Sequence, residues 1–379
     1  MTALILLGAI IIVVLIFHRP LTRIFRLITF GLSIFTNGQS RIINLLTRSV
    51  KIIDSTYDDG RQDLPLRIFR SAAKREESPA VILYHGASPK GIEHPAMNLL
   101  ARNLVQLGFT VYFPRLPQLN NMKFSPETYP RMKRIFHQIS TLPEVDAHRI
   151  IVAGMSFAGG MAVKLATEKN IRPAGVISFG SYFDLEATTE FFFTGRDNFG
   201  DTNVDITPHE YTKAVWFWNY LDHLELPFDL QPVRRAIGHF IRDERQRLEE
   251  SYLACSPDQR SFLKKIFDPR EPYAIEYFHS LRPIIESLSQ QLSPRYFYQD
   301  VQVPIFIIHG VRDNMIPYTQ SLALTDALET TGLQHYPFLM RLYAHSESEK
   351  SSPAEFINEV KALYRLLKNL LLLIDRNEH

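Results

Sequence analysis

Three side chains carry most of the chemistry this sequence offers: Ser156, Asp313 and His345. Ser156 lies in RIIVAGMSFAGG (149–160), between small residues and just after an apolar run. The pattern G-x-S-x-G places a serine on a sharp strand-to-helix turn, with its hydroxyl lifted above a sheet. Here Ala158 stands where the final glycine is usual, and Gly159 and Gly160 follow. Alanine is still small, so the departure reads as a steric variation and not as a lost site. A serine hydroxyl is a poor nucleophile until a base removes its proton. A base and an orienting acid must therefore follow at suitable places. Asp313 lies in HGVRDNMIP (309–317), after the strand run PIFIIHG (304–310), and His345 lies in RLYAHSES (341–348), at the end of the next strand run. The chain order Ser, Asp, His fits a triad.

The elements that must position them alternate. Strands are expected at 64–71, 80–86, 109–114, 149–154, 174–180, 304–310 and 338–346, and helices at 96–108, 128–141, 159–170, 317–332 and 353–374. Such alternation predicts a mostly parallel sheet with helices on both faces. Ser156, Asp313 and His345 would then emerge at the carboxyl edge of that sheet, where ligands bind in open α/β folds. Residues 185–298 break the rhythm. They hold aromatic runs such as AVWFWNYLDHL and helical stretches but no clear apolar strand, which predicts an inserted helical cap.

YHGAS, GMSFAGG, HGVRDNMIP and YAHS together resemble the α/β-hydrolase superfamily, nearest its esterase, dienelactone-hydrolase-like and prolyl-oligopeptidase-like branches. The resemblance spans roughly residues 60–375 outside the cap. It implies an oxyanion hole built from the backbone N–H groups of Ala87 and Phe157. The cysteine nucleophile of true dienelactone hydrolases is lacking, which disfavours that activity. Competing readings exist for single residues. Asp184, after an earlier strand, is a rival acid. His85 reads as loop-fixing and His309 as structural, while His335 lies at the wrong edge. Cys255, the one cysteine, reads as an inert buried residue. No intrachain disulfide is possible, no metal-ligand spacing occurs, and no cofactor is expected.

Residues 1–53 hold six basic residues and no Asp or Glu, although net charge is only +2. The fold itself therefore carries no basic patch of the kind a nucleic-acid-binding domain shows. Residues 3–17 are continuously apolar. As a helix over 2–18 they would span roughly 25 Å, slightly short of a ~30 Å hydrocarbon core. No cleavage signal follows, so an uncleaved membrane-anchor helix (1–20) is expected. The flanking charge all lies on its C-terminal side, which places the main body in the cytoplasm as a single-pass protein. Residues 41–53 read as a basic amphipathic helix within a linker (21–55), suited to a membrane surface or to packing on the domain. The hydrolase domain is expected over 56–379.

The expected function is a membrane-anchored serine hydrolase, a carboxylesterase or lipase-like enzyme acting on a small or lipid-like acyl ester. Two alternatives remain: a prolyl-oligopeptidase-like peptidase or amidase, and a hydrolase fold used as a non-catalytic binding platform.

Overall fold

The computed structural model describes residues 26, 29–30, 49–72, 77–199, 202–203, 206–270, 275–341 and 353–375. Among the described residues eight strands form one sheet in the order β1-β2-β4-β3-β5-β6-β9-β10. These are β1 (Val50–Asp58), β2 (Asp63–Ser71), β3 (Ser78–Tyr84), β4 (Thr110–Pro114), β5 (Val145–Met155), β6 (Gly175–Phe179), β9 (Ile305–Gly310) and β10 (His335–Met340). The remaining pair, β7 (Asn198–Phe199) and β8 (Thr202–Asn203), makes a small separate hairpin. The β1–β2 and β2–β4 pairs are antiparallel, and β4 through β10 run parallel. The central strands are apolar runs buried on both faces. All of β3 and β4 is buried, as expected of strands covered by helices on either side.

Helices α1 (Pro95–Leu107), α2 (Thr128–Ser140), α3 (Phe157–Leu165), α10 (Thr319–Thr331) and α11 (Pro353–Ile374) alternate with these strands. Helix α1 starts on a proline and ends at Gly108 in the left-handed region (φ 109°), the usual asymmetry of helix ends. Two apolar cores result. One contains Ile82, Val152, Met161 and Ile307, and the other contains Val81, Val105, Ile151 and Leu371. Residues 82 and 81, like 152 and 151, alternate between the two faces of the sheet.

Between β6 and β9 the described residues form six α-helices: α4 (Leu185–Thr194), α5 (Tyr211–Tyr220), α6 (Leu230–Ile241), α7 (Arg245–Leu253), α8 (Pro257–Phe267) and α9 (Ile275–Leu292). Aromatic side chains pack these helices together, with Phe217 against Phe193, Phe262 and Tyr277. A Ser256–Gln259 capping box starts α8. Cys255 is buried, and its Sγ contacts the Ser251 carbonyl at 3.2 Å, so it is an internal packing residue.

Three expectations are corrected. Residues 50–53 are not helical but open β1, so the amphipathic helix expected over 41–53 does not continue through them, and the expected linker overlaps the sheet. The reason is pairing: Val50 through Asp58 register against Ser71 through Asp63. Strand β10 begins at His335, before the expected 338, and ends at Met340, while residues 342–346 of the expected strand lie outside the described residues. Helix α3 ends at Leu165, short of the expected 170. The membrane-anchor segment 3–17 and residues 41–48 lie outside the described residues. Within the described part of the arm, Phe30 is buried against the α1 face, and the Arg26 guanidinium donates to the Leu107 carbonyl at 3.2 Å. Among the described residues no helix is long and apolar enough to cross a membrane.

Candidate active site

Strand β5 runs into α3 through Ser156, whose φ of 51° and ψ of −124° lie outside the regions open to ordinary L-residues. Strain of this kind costs of order 1–3 kcal/mol and persists only where the surroundings fix it. Here they do. The Ser156 N–H donates to the Phe179 carbonyl on β6 at 2.8 Å, and the Gly159 N–H donates to the Ser156 carbonyl at 2.9 Å. The close packing also accounts for the glycines. A Cβ on Gly154 would meet the Ala158 carbonyl oxygen at 2.4 Å. One on Gly159 would meet Ser181 Cβ at 2.5 Å, and one on Gly160 the Tyr182 ring at 2.5 Å. Ala158, where the pattern has its last glycine, is fully buried. The tight contacts thus fall on 154, 159 and 160.

The serine hydroxyl makes no hydrogen bond to any described residue and lines a cavity of about 50 Å³. Ala87, Phe157, Met122, Phe124, Leu185 and Ile316 are among its walls. Phe157 opens α3, so its N–H has no acceptor within its own helix. A Cβ on Gly86 would stand 2.9 Å from Ser156 Cβ, so the turn after β3 approaches the serine directly. Ala87 and Phe157, the expected oxyanion donors, thus flank one cavity with Ser156. A larger cavity of about 260 Å³ lies at the amino edge of the sheet, around Ser78 and Thr110. It is remote from this chemistry.

Asp313 lies in the loop after β9, two strands from β5. At the spacing of parallel strands that gap is roughly 10 Å. Its Oδ1 accepts from the N–H groups of Met315 (2.8 Å) and Ile316 (3.0 Å). Its Oδ2 lies 3.6 Å from His309 Nε2 and faces Gly180. One oxygen fixes the loop and the other faces inward. His309 is fully buried between Ser321 Oγ (2.7 Å) and the Ile316 carbonyl (2.8 Å). Burial pushes its pKa down, against the pull of the Asp313 carboxylate. It therefore props up the Asp313 loop, as the structural reading holds.

Asp184, the rival acid, is occupied elsewhere. It caps α4 by accepting from Glu186 N–H, pairs with Arg295 and accepts from Ser289 Oγ. His335 opens β10 at the amino edge, opposite the site. His85 is buried; it contacts the Gly86 carbonyl through Nδ1 (2.7 Å) and accepts the Leu116 N–H through Nε2 (3.1 Å). It fixes two loops and is not a base. His345 lies outside the described residues. The preceding strand β10 pairs in parallel with β9 and ends opposite Gly310, so the chain leaves it at the edge that bears Ser156 and Asp313.

Sequence reasoning missed His209. Its backbone N–H donates to the Asn314 carbonyl at 2.9 Å, beside Asp313, and burial lowers the pKa of its imidazole while Glu210 and Asp313 pull it up. It also missed Met122 and Phe124 as cavity walls, beside Leu185, Phe192 and Val215 of the expected cap. No motif marks those positions, because they reach the serine only through tertiary packing. Among the described residues no cluster of His, Cys, Asp or Glu could hold a metal ion.

No protein-family model matches the chain, and no curated protein matches it in sequence. Solved structures do. The acylaminoacyl peptidase of Pyrococcus horikoshii, in its orthorhombic crystal form, is 16% identical with a TM-score of 0.51 over 89% of this chain. This chain spans 44% of that protein's length. A variant of the esterase rPPE is 13% identical (TM-score 0.48) over 86% of this chain and 84% of its own. A dienelactone-hydrolase-like promiscuous phosphotriesterase from metagenomic libraries is 10% identical (TM-score 0.46), over 86% and 99%. With the sheet order and the serine turn described above, the chain has the α/β-hydrolase fold.

Two measurements test this geometry. Gly154→Ala is expected to cost about 1–3 kcal/mol or more, as overpacking against backbone does, whereas Gly310→Ala, with no described residue within 4 Å of the new Cβ, should stay within about 0.5 kcal/mol of wild type. Urea unfolding that ranks the two equally would contradict the packing. The second concerns pH. Burial pushes the His85 pKa down to about 4, below the ~6.5 of an unfolded histidine. Stability from this group is therefore complete above pH ~6.5 and is lost as pH falls toward 4, by about 3 kcal/mol in all. His309 acts in the same direction. The unfolding midpoint should drop between pH 7 and 4.5, and less steeply in His85→Gln. Identical slopes in the two proteins would contradict a buried neutral imidazole.

Proposed function

We propose that this protein is a serine hydrolase of the carboxylesterase or lipase-like kind. The observation that carries the reading is Ser156, held in a strained turn with its hydroxyl facing an apolar cavity. A purely structural serine has no need of that backbone conformation. In the proposed mechanism His345 takes the Ser156 proton as Oγ attacks the acyl carbonyl. Asp313 Oδ2 holds the imidazole tautomer and stabilises its cation. The N–H groups of Ala87 and Phe157 donate hydrogen bonds to the carbonyl oxygen as negative charge develops on it, and each such donor is worth about 2.7–4 kcal/mol of transition-state stabilisation. His345 then protonates the departing alcohol, and a water it activates releases the acyl group. Apolar walls beside the serine favour an apolar acyl group. A peptidase or amidase reading draws on the acylaminoacyl peptidase whose fold this chain shares, so substrates of both kinds belong in the test.

A fluorophosphonate probe is expected to label the full-length protein but not Ser156→Ala. The protein should also turn over p-nitrophenyl esters faster than peptide anilides. Equal labelling of both proteins would remove Ser156 from the mechanism, and faster anilide turnover would favour the amidase.

The apolar run 3–17 with its basic flank supports a single-pass anchor that holds the hydrolase domain on the cytoplasmic side. In sealed, right-side-out vesicles the domain should resist added protease until detergent opens the membrane. Digestion without detergent would contradict that orientation.

A further inference from the structure

The wall of the Ser156 cavity is built in an unusual way. Residues Asn121–Phe124 follow the short helix Pro117–Asn120 without regular structure of their own, and Met122 has a left-handed backbone (φ 56°). Such a segment needs outside partners. It receives them from three consecutive residues at the end of cap helix α5. Trp218 Nε1 donates to the Asn121 carbonyl at 2.9 Å, and the Tyr220 hydroxyl donates to the Phe124 carbonyl at 3.0 Å. Between them the Asn219 carboxamide works both ways. Its Nδ2 donates to the Met122 carbonyl at 2.8 Å, and its Oδ1 accepts the Phe124 N–H at 2.9 Å. It stands in for a neighbouring backbone strand. The Phe124 ring so placed stacks on Phe157, with centroids 4.4 Å apart and planes 22° apart, and leans on the buried Trp216. Met122, Phe124 and Phe157 all face Ser156 in the same cavity. That cavity holds about 50 Å³, a few times the ~10–15 Å³ that admits a single water.

We propose that this cavity takes the acyl part of the substrate, that the acyl group is short, and that Asn219 sets the limit by clamping the Met122–Phe124 wall. The inference rests on the serine-hydrolase reading above and names its substrate class: esters of short-chain acids. Asn219 is a positioning residue. It touches neither the substrate nor the reacting atoms but fixes the ring that closes the site and backs Phe157. The cap is therefore a fixed wall of the acyl site.

The test uses the full-length protein, p-nitrophenyl acetate, butyrate and octanoate, fluorophosphonate labelling, and thermal unfolding to establish that each variant is folded. Wild type should prefer acetate and butyrate to octanoate. Asn219→Ala should raise the octanoate-to-acetate ratio of kcat/KM at least tenfold, since one methylene in a fitted apolar pocket is worth roughly 10–200-fold. Phe124→Ala removes the wall directly and should shift the ratio the same way; it decides the matter if Asn219→Ala does not fold. Lys123→Ala, an exposed side chain in the same loop, should leave the ratio unchanged. A labelled wild type that prefers octanoate, or folded variants that keep the wild-type ratio, overturns the inference and leaves the hydrolase reading standing. A wild type that neither labels nor turns over any ester overturns both.

Discussion

Everything at this site depends on one strained turn. A serine cannot hold a positive φ by preference, and Ser156 holds it because the sheet and α3 leave no other course. The Phe179 carbonyl takes its N–H, the Ala158 carbonyl lies where a side chain on Gly154 would go, and Ser181 and Tyr182 press on Gly159 and Gly160. The cost falls on a few backbone dihedrals. Two buried cores, one on each face of the sheet, offset it. The result is a hydroxyl raised out of the backbone layer with no internal partner among the described residues.

Around that turn, polar groups divide into those that build and those that stay available. His85 ties the turn after β3 to the backbone at Leu116, and His309 ties β9 to the Asp313 loop. Burial lowers the proton affinity of both imidazoles, and their ring nitrogens are already engaged, so neither competes for the serine proton. Asp184 is spent on a helix cap and on Arg295. Asp313 commits only Oδ1 to its own loop, through Met315 and Ile316. The two carboxylates follow similar strand ends yet differ in what already holds them.

Much of this was legible in the sequence, for physical reasons that differ by element. Strands β3, β5, β6 and β9 announce themselves as short apolar runs because both their faces are buried. The glycines around Ser156 are visible because the turn is crowded. Strand β1 was not legible: it is a mostly exposed edge strand, reading VKIIDSTYD, whose pairing with β2 and not its own pattern makes it a strand. The early start of β10 was hidden likewise, since its register is set by β9. Asn219 carries no local signal, because a carboxamide on a helix is ordinary until a distant loop is brought against it. Asp184 and Asp313 look alike in sequence, and only their partners separate them.

The central claim is that Ser156 Oγ forms a covalent bond to the acyl group. The most direct test mixes the full-length protein with p-nitrophenyl acetate, quenches in acid within one turnover, and maps the digested protein by mass spectrometry. The account predicts an acetyl group on the peptide containing Ser156, formed together with a burst of p-nitrophenol and absent from Ser156→Ala. Turnover with no adduct on that peptide, or the same burst from the alanine variant, would contradict it.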